Sequence, residues 1–191
     1  MDFKDIVTKS RSYRRFHQEE TIGLDILRDL VDLGRLTPSA ANRQPLRYIL
    51  SNSVEKNSLI FGHLAWAAYL ADWEGPVEGE RPSAYIIILN DTSISTSAGC
   101  DHGIAAQTIL LGACARGLGG CMIASIKKEG LAAALNIPAS YEILLVVALG
   151  RPRETVVIEP VGPSGDIRYW RDERGVHHVP KRSLDDLILD I

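Results

Sequence analysis

The chain has 191 residues, of which 46% are hydrophobic and 24% charged, proportions of an ordinary globular domain that exclude a collagen-like, disordered or repeat chain. Lys plus Arg number 21 against 24 Asp plus Glu, for a net charge of -3, so no general polyanion-binding surface is present and nucleic acid is not an expected partner. No apolar run approaches the roughly 20 residues of a bilayer span, and no membrane association is expected. The opening, with Asp2, Lys4 and Asp5 around Phe3 and Ile6, has no secretory pattern, which makes the cytoplasm the expected compartment. Cys100, Cys114 and Cys121 are odd in number and lack paired spacing, as reduced thiols do and a disulfide framework or zinc site does not.

In chain order, a helix is expected over residues 3–10. A stronger one covers residues 24–36, where Leu24, Leu27, Leu30, Val31 and Gly34 share a face. Pro38 and Pro45, with Ser39, Ala40, Ala41, Asn42, Arg43 and Gln44 between them, turn the chain into a loop. Tyr48, Ile49 and Leu50 suggest a short strand, and residues 73–82, containing Gly75, Pro76 and Gly79, an exposed excursion. Residues 84–89 and 143–149 lack polar alternation and read as central strands covered on both faces. Between them, residues 104–115 form a helix apolar nearly all round, which must be buried and whose small residues allow a second helix, even one from another subunit, to come close. A short helix over residues 131–135 stops near Pro138. Residues 159–181, rich in Gly, Pro and charge, read as a segment travelling over a surface, and residues 184–189 as a last helical turn or a docking segment. The order of elements predicts mixed α and β in layers and leaves strand direction open.

Several clusters could carry chemistry. Arg11, Arg14 and Arg15 with Ser10 and Ser12 offer forked donors suited to a phosphate or planar polar group, or else a solvated cluster pairing with Glu19 and Glu20. The loop from Pro38 to Pro45 places hydroxyl and amide groups that can read a heterocycle, or simply connects a helix to a strand. Gly117, Gly119 and Gly120 allow close approach of a flat ligand, or stop a helix. They match neither a Rossmann fingerprint nor a P-loop, whose Lys-Ser or Lys-Thr is missing. His177 and His178 are adjacent, so on a strand they face opposite ways, and no Cys or carboxylate set completes a metal site. Asp101 reads as a helix cap, and no hydrolytic triad stands out.

Taken together, the segments resemble the flavin-dependent nitroreductase family. The resemblance spans nearly the whole chain: Arg11-Ser12-Tyr13-Arg14-Arg15-Phe16, the loop from Pro38 to Pro45, Gly103-Ile104-Ala105-Ala106-Gln107, Gly117-Leu118-Gly119-Gly120, Ala148-Leu149-Gly150-Arg151-Pro152 and Pro180-Lys181-Arg182. It implies an α+β fold, with a central, mostly antiparallel sheet flanked by helices, in an intertwined homodimer holding one FMN at each of two interface sites. Residues 1–191 would form one such domain, with residues 160–191 an extension wrapping the partner subunit. The resemblance places Arg11 and Ser12 at the phosphate and ribityl end and Arg14 at the pyrimidine end. Pro38, Ser39, Asn42 and Gln44 would cover the flavin from the partner subunit. Met122, Ile123, Ala124 and Ser125 would pass along the isoalloxazine, and Lys181 and Arg182 complete the phosphate cage.

It further implies NADH or NADPH as electron donor and a small electron-poor acceptor, such as a nitroaromatic or quinone, with no side chain required as nucleophile or general acid. Two departures stand out. Ala124 replaces the usual acidic residue beside the ring, and residues 61–81, with Trp66, Tyr69 and Trp73, do not follow the common pattern and are expected to shape an individual substrate pocket. These departures motivate an alternative, a non-catalytic flavin-binding or redox-sensing protein.

Overall fold

The computed structural model describes residues 2–70 and 72–190. Met1, Ala71 and Ile191 lie outside them, and with them the ends of the expected 1–191 domain and one position of the 61–81 excursion.

α1 (Phe3–Lys9) opens on a capping box in which the side chains and amides of Asp2 and Asp5 satisfy each other. α2 (Leu24–Arg35) buries Leu27, Leu30 and Gly34 of the stripe its helical spacing predicts, with Val31 half-buried, whereas Leu24, in the first turn at the helix end, is exposed. β1 (Leu46–Ser51) is followed by α3 (Val54–Phe61), β2 (Ala84–Asp91), α4 (Asp101–Ala115), β3 (Gly119–Ile123), α5 (Lys128–Ala134) and β4 (Tyr141–Gly150). β5 (Val156–Pro160), β6 (Trp170–Arg171) and β7 (His177–Lys181) complete the chain order.

β1, β2, β4 and β3 form, in that order, one antiparallel sheet. β2 is buried at every position and β4 at its last six. Both faces are covered, which is why neither strand alternates with polar residues. Ile86, Ile88, Val147 and Leu149 face Leu27 and Leu30 of α2 and Ile109 of α4. Tyr85, Ile87, Val146 and Ala148 face the other way, into a second cluster with Ile60 of α3, Trp66 and Leu131 of α5. Each fully buried aliphatic side chain stabilises the fold by about 1.5–3 kcal/mol relative to exposure. The expected antiparallel sheet with helical layers is therefore the observed architecture.

α4 comes close to α2 because glycine stands at the contact: a Cβ on Gly112 would lie 2.4 Å from Leu33 Cδ1. The helix is buried on most of its circumference, yet Gly103, Ile104 and Gln107 leave one flank open to solvent. Asp101 is the first residue of α4, and Cys100, not Asp101, stands at the cap position.

Three other segments differ from expectation. Residues 119–123, to which the sequence pattern assigned no element, are the edge strand β3. α3 carries little amphipathic pattern and was not anticipated. Residues 159–181 do not merely cross a surface: β5 and β7 pair in parallel and β6 joins β7 antiparallel to make a second sheet. Its β-branched and aromatic positions are short and separated by Pro and Gly, which hid the strand signal. Residues 184–189 form a hydrogen-bonded turn, the amides of Leu187 and Ile188 donating to the Leu184 carbonyl.

Candidate functional site

The stretch after α1 is extended and lies along the open edge of β3, where Ser12 bridges Gly120 and the Tyr13 amide donates to the Gly120 carbonyl at 3.0 Å. Extended backbone alternates its side chains. Ser12 and Arg14 therefore face a cavity of about 300 Å³, whereas Arg15 turns away and pairs with Glu80. Met122 of β3, Gln107 and Leu110 of α4, and Arg11 contribute further walls. β7 supplies His177, Val179 and Lys181 from one face, at the period of two that a strand imposes. The other face of β7 carries His178, stacked on Trp170 and bonded to Glu159 at 2.9 Å. Among the described residues, three cations line the cavity and no carboxylate does. Among the described residues no group of His, Cys, Asp or Glu is arranged to hold a metal ion.

Arg14 is held on several sides. Its guanidinium carbon lies 4.9 Å from the centre of the Tyr169 ring, a cation–π arrangement. Its Nη1 is 3.3 Å from His177 Nε2, and its backbone amide donates to the Glu154 carboxylate. Burial first, then the neighbouring Arg14 and Arg171 guanidinium groups, push the His177 imidazole down to about 4, so it is neutral at physiological pH. Tyr169 also meets Tyr69, with ring centres 5.0 Å apart. The excursion carrying Tyr69 is fastened beside residues 125–126: the Ala65 amide donates to the Ser125 carbonyl at 3.0 Å, and Leu64 bridges Ile126. Trp66 is a core residue of the second cluster, and Trp73 packs against that cluster beneath Arg171.

The residues singled out from sequence divide into groups. Arg11, Ser12, Arg14, Met122 and Lys181 meet at the cavity just described. Pro38, Ser39 and Gln44 line a different cavity of about 290 Å³ with Tyr48 and Asp101, and Asn42 is exposed on the same loop. Ile123 is buried in the second core cluster, Ala124 and Ser125 are exposed immediately beyond it, and Arg182 lies on a groove between β5 and the last turn.

The loop between Pro38 and Pro45 is conformationally costly. Ala41, Asn42 and Gln44 have φ of 51°, 53° and 52°, a left-handed conformation disfavoured by about 1–2 kcal/mol for a residue with a Cβ. Asp101 helps hold it in place, accepting from Ser39 Oγ at 2.6 Å and from the Ala40 amide at 3.1 Å. Ser39 Oγ in turn accepts from the Gln44 amide at 2.9 Å. The buried carboxylate sits in the first turn of α4, where the helix dipole favours negative charge. Asp101 thus anchors a loop, a role that its reading as a cap did not anticipate.

Asp101 and Leu110, which line the two cavities, are nine residues apart on α4. At 100° and about 1.5 Å per residue they point to opposite sides of the helix, about 13 Å apart along its axis. The two cavities therefore lie on different sides of α4.

Gln107, Tyr169, His177 and Val179 were not singled out as site residues. The alternation His177, Val179, Lys181 was the available signal, since Lys181 marks the face on which the other two must lie.

A sequence model described as the nitroreductase family matches residues 7–151, and the chain belongs to that family. Solved structures agree. A nitroreductase family protein from Clostridium novyi NT is 25% identical, with a TM-score of 0.65 over 80% of this chain and 88% of its own. The nitroreductase family protein from Streptococcus pneumoniae TIGR4 is 17% identical, with a TM-score of 0.70 over 89% of this chain and 100% of its own. An FMN-dependent nitroreductase from Clostridium difficile R20291 is 21% identical, with a TM-score of 0.63 over 78% of this chain and 87% of its own. Oxidoreductase function follows from this membership. No helix among the described residues is long and apolar enough to cross a membrane.

Proposed function

We propose that the chain is an FMN-dependent oxidoreductase working as a cytoplasmic homodimer. The single observation that carries this reading is the cavity walled by Arg11, Arg14 and Lys181 with no carboxylate among the described residues. Three uncompensated cations beside the apolar side chains of Leu110, Met122 and Val179 suit a flat ring carrying an anionic tail. Arg11 Nε and His177 Nδ1 are buried without partners among the described residues, and such atoms fit a ligand that brings its own acceptors. The family membership and the FMN dependence of the similar protein from Clostridium difficile R20291 support the same cofactor.

Bound FMN supplies two-electron chemistry at its N5, between NADH or NADPH and an electron-poor acceptor such as a nitroaromatic or quinone. The chain's own groups bind and orient. Arg11, Ser12 and Lys181 hold the phosphate and ribityl end, with Arg182 at its margin. Arg14 holds a fixed positive charge at the pyrimidine end, where reduction adds negative charge, and so favours the reduced form. Met122, Ile123, Ala124 and Ser125 run beside the ring, the exposed backbone at Ala124 and Ser125 offering amides. Pro38, Ser39, Asn42 and Gln44 reach the ring from the partner subunit, because α4 separates them from the cations of their own chain. A second copy seated on the open flank at Gly103, Ile104 and Gln107 meets this need, with residues 160–191 wrapping it.

The purified protein is expected to be yellow, or to become so with added FMN, and to run as a dimer in light scattering. Its flavin spectrum should bleach on mixing with NADH or NADPH and recover on adding a nitroaromatic or quinone. Arg14→Ala should weaken FMN binding at least tenfold or make the flavin harder to reduce. A colourless chain that takes up no FMN ends the reading; a bound flavin that neither nucleotide reduces replaces it with flavin storage or sensing.

A further inference from the structure

The contact between Arg14 and His177 determines more than a distance. Arg14 Nη1 lies 3.3 Å from His177 Nε2, and a guanidinium has donors but no acceptor. Nε2 must therefore present its lone pair, and a neutral imidazole then carries its proton on Nδ1. His177 is 1% exposed, and both Arg14 and Arg171 oppose a positive charge on it. Its position is set from the backbone, the His177 amide donating to the Thr155 carbonyl at 2.8 Å, and from the side by Tyr169, with ring centres 5.2 Å apart. Nδ1 is buried and has no partner among the described residues, although the residue forms part of the cavity wall. A buried donor left unpaired is unfavourable, and the acceptor it lacks is one that a bound ligand can bring.

We propose that His177 is a cofactor-site residue with two tasks: Nε2 orients the Arg14 guanidinium, and Nδ1–H donates to an oxygen or ring nitrogen of the bound flavin mononucleotide. The inference rests on the proposed function and extends it to a residue of the second sheet. It gives β7 a reason to be next to the cavity. The strand delivers Lys181 for charge and, four residues earlier on the same face, an imidazole whose tautomer is dictated by Arg14.

The test has two arms. In the first, nitrogen-15 NMR of the wild-type protein at pH 7, with and without FMN, is expected to show His177 protonated on Nδ1 and bare on Nε2, with the Nδ1 signal shifting on FMN addition. The opposite tautomer, an imidazolium, or an Nδ1 signal indifferent to FMN overturns the proposal. In the second, FMN titration and the flavin midpoint potential are compared among variants. His177→Phe, which keeps a ring but neither polar atom, should weaken FMN binding at least tenfold. His177→Gln, whose amide oxygen reaches the Nε2 position, should recover part of that loss, and only while Arg14 is present. An unchanged affinity and potential in His177→Phe overturns the proposal, as does equal behaviour of His177→Gln in the presence and absence of Arg14. If the variants fail to fold, the NMR arm decides alone. A wild-type chain that takes up no FMN removes the functional reading, whereas a normal FMN complex with unaffected variants removes only the role of His177.

Discussion

Arg171 donates to Glu154 across 3.0 Å, and both side chains are largely withdrawn from water, at 17% and 1% exposure. The same carboxylate accepts from the backbone amides of Arg14 and Arg15. One acid thus ties the second sheet to the stretch that carries the cationic wall of the cavity. Arg171 also lies over Trp73, its guanidinium carbon 4.9 Å from the ring centre, which extends the tie to the excursion.

Removing Glu154 leaves a buried guanidinium and two backbone donors without their partner. Glu154→Ala should lose about 3–5 kcal/mol of stability, the usual cost of breaking a buried pair on one side. Urea denaturation measures it, and a loss below about 1 kcal/mol would show that solvent readily replaces the carboxylate.

His177 makes stability depend on pH with a definite sign. Its folded pKa is pushed down to about 4, against about 6.5 in the unfolded chain. Between those values the unfolded state binds the extra proton, so the contribution is present above about pH 6.5 and is lost as the pH falls toward 4. His178, raised chiefly by its hydrogen bond to Glu159, acts in the opposite direction and is common to wild type and variant. The melting-temperature difference between wild type and His177→Phe should therefore shrink between pH 6.5 and 4; a difference constant over that window contradicts the assignment.

Gly120 joins the edge of the sheet to the stretch that walls the cavity of Arg11, Arg14 and Lys181. A Cβ there would stand 2.5 Å from the Ala148 carbonyl oxygen and 2.6 Å from Leu110 Cδ2, and the first of these is backbone that cannot swing aside. Gly120→Ala should destabilise by about 1–3 kcal/mol or more. It should also weaken FMN binding, because Ser12 bridges this residue. Calorimetry with an FMN titration checks both.

Asp101 keeps a loop of unfavourable backbone in place. In Asp101→Ala the Ser39 hydroxyl and the Ala40 amide lose their acceptor, and stability should fall by about 1–3 kcal/mol. Hydrogen exchange should accelerate at Ala40 and Gln44 while the β2 amides keep their protection. Unchanged exchange at both loop amides would show that the two prolines suffice to hold it.

Much of the scaffold could be read along the chain. Residues 84–89 and 143–149 announced central strands because a strand buried on both faces needs no polar alternation, and α2 announced its buried stripe through helical spacing. Those signals are set within a few residues of each position. The order of short motifs pointed likewise to the family and to a cationic wall containing Arg11, Arg14 and Lys181. Other features depended on pairs far apart in sequence. Arg14 and His177, separated by 163 positions, meet because residues 12–13 lie against β3 and residues 15–17 against residues 151–153, while the second sheet is tied to this stretch through Glu154. Ser39 and Asp101, 62 positions apart, meet because Gly112 lets α4 close against α2. β7 has too little apolar pattern to declare itself, and only its pairing with β5 and β6 reveals that His177, Val179 and Lys181 share one face. Periodicity records which side of an element is apolar; which distant side chain meets it is decided by sheet register and helix packing, where the folding free energy is shared among contacts that no local stretch contains.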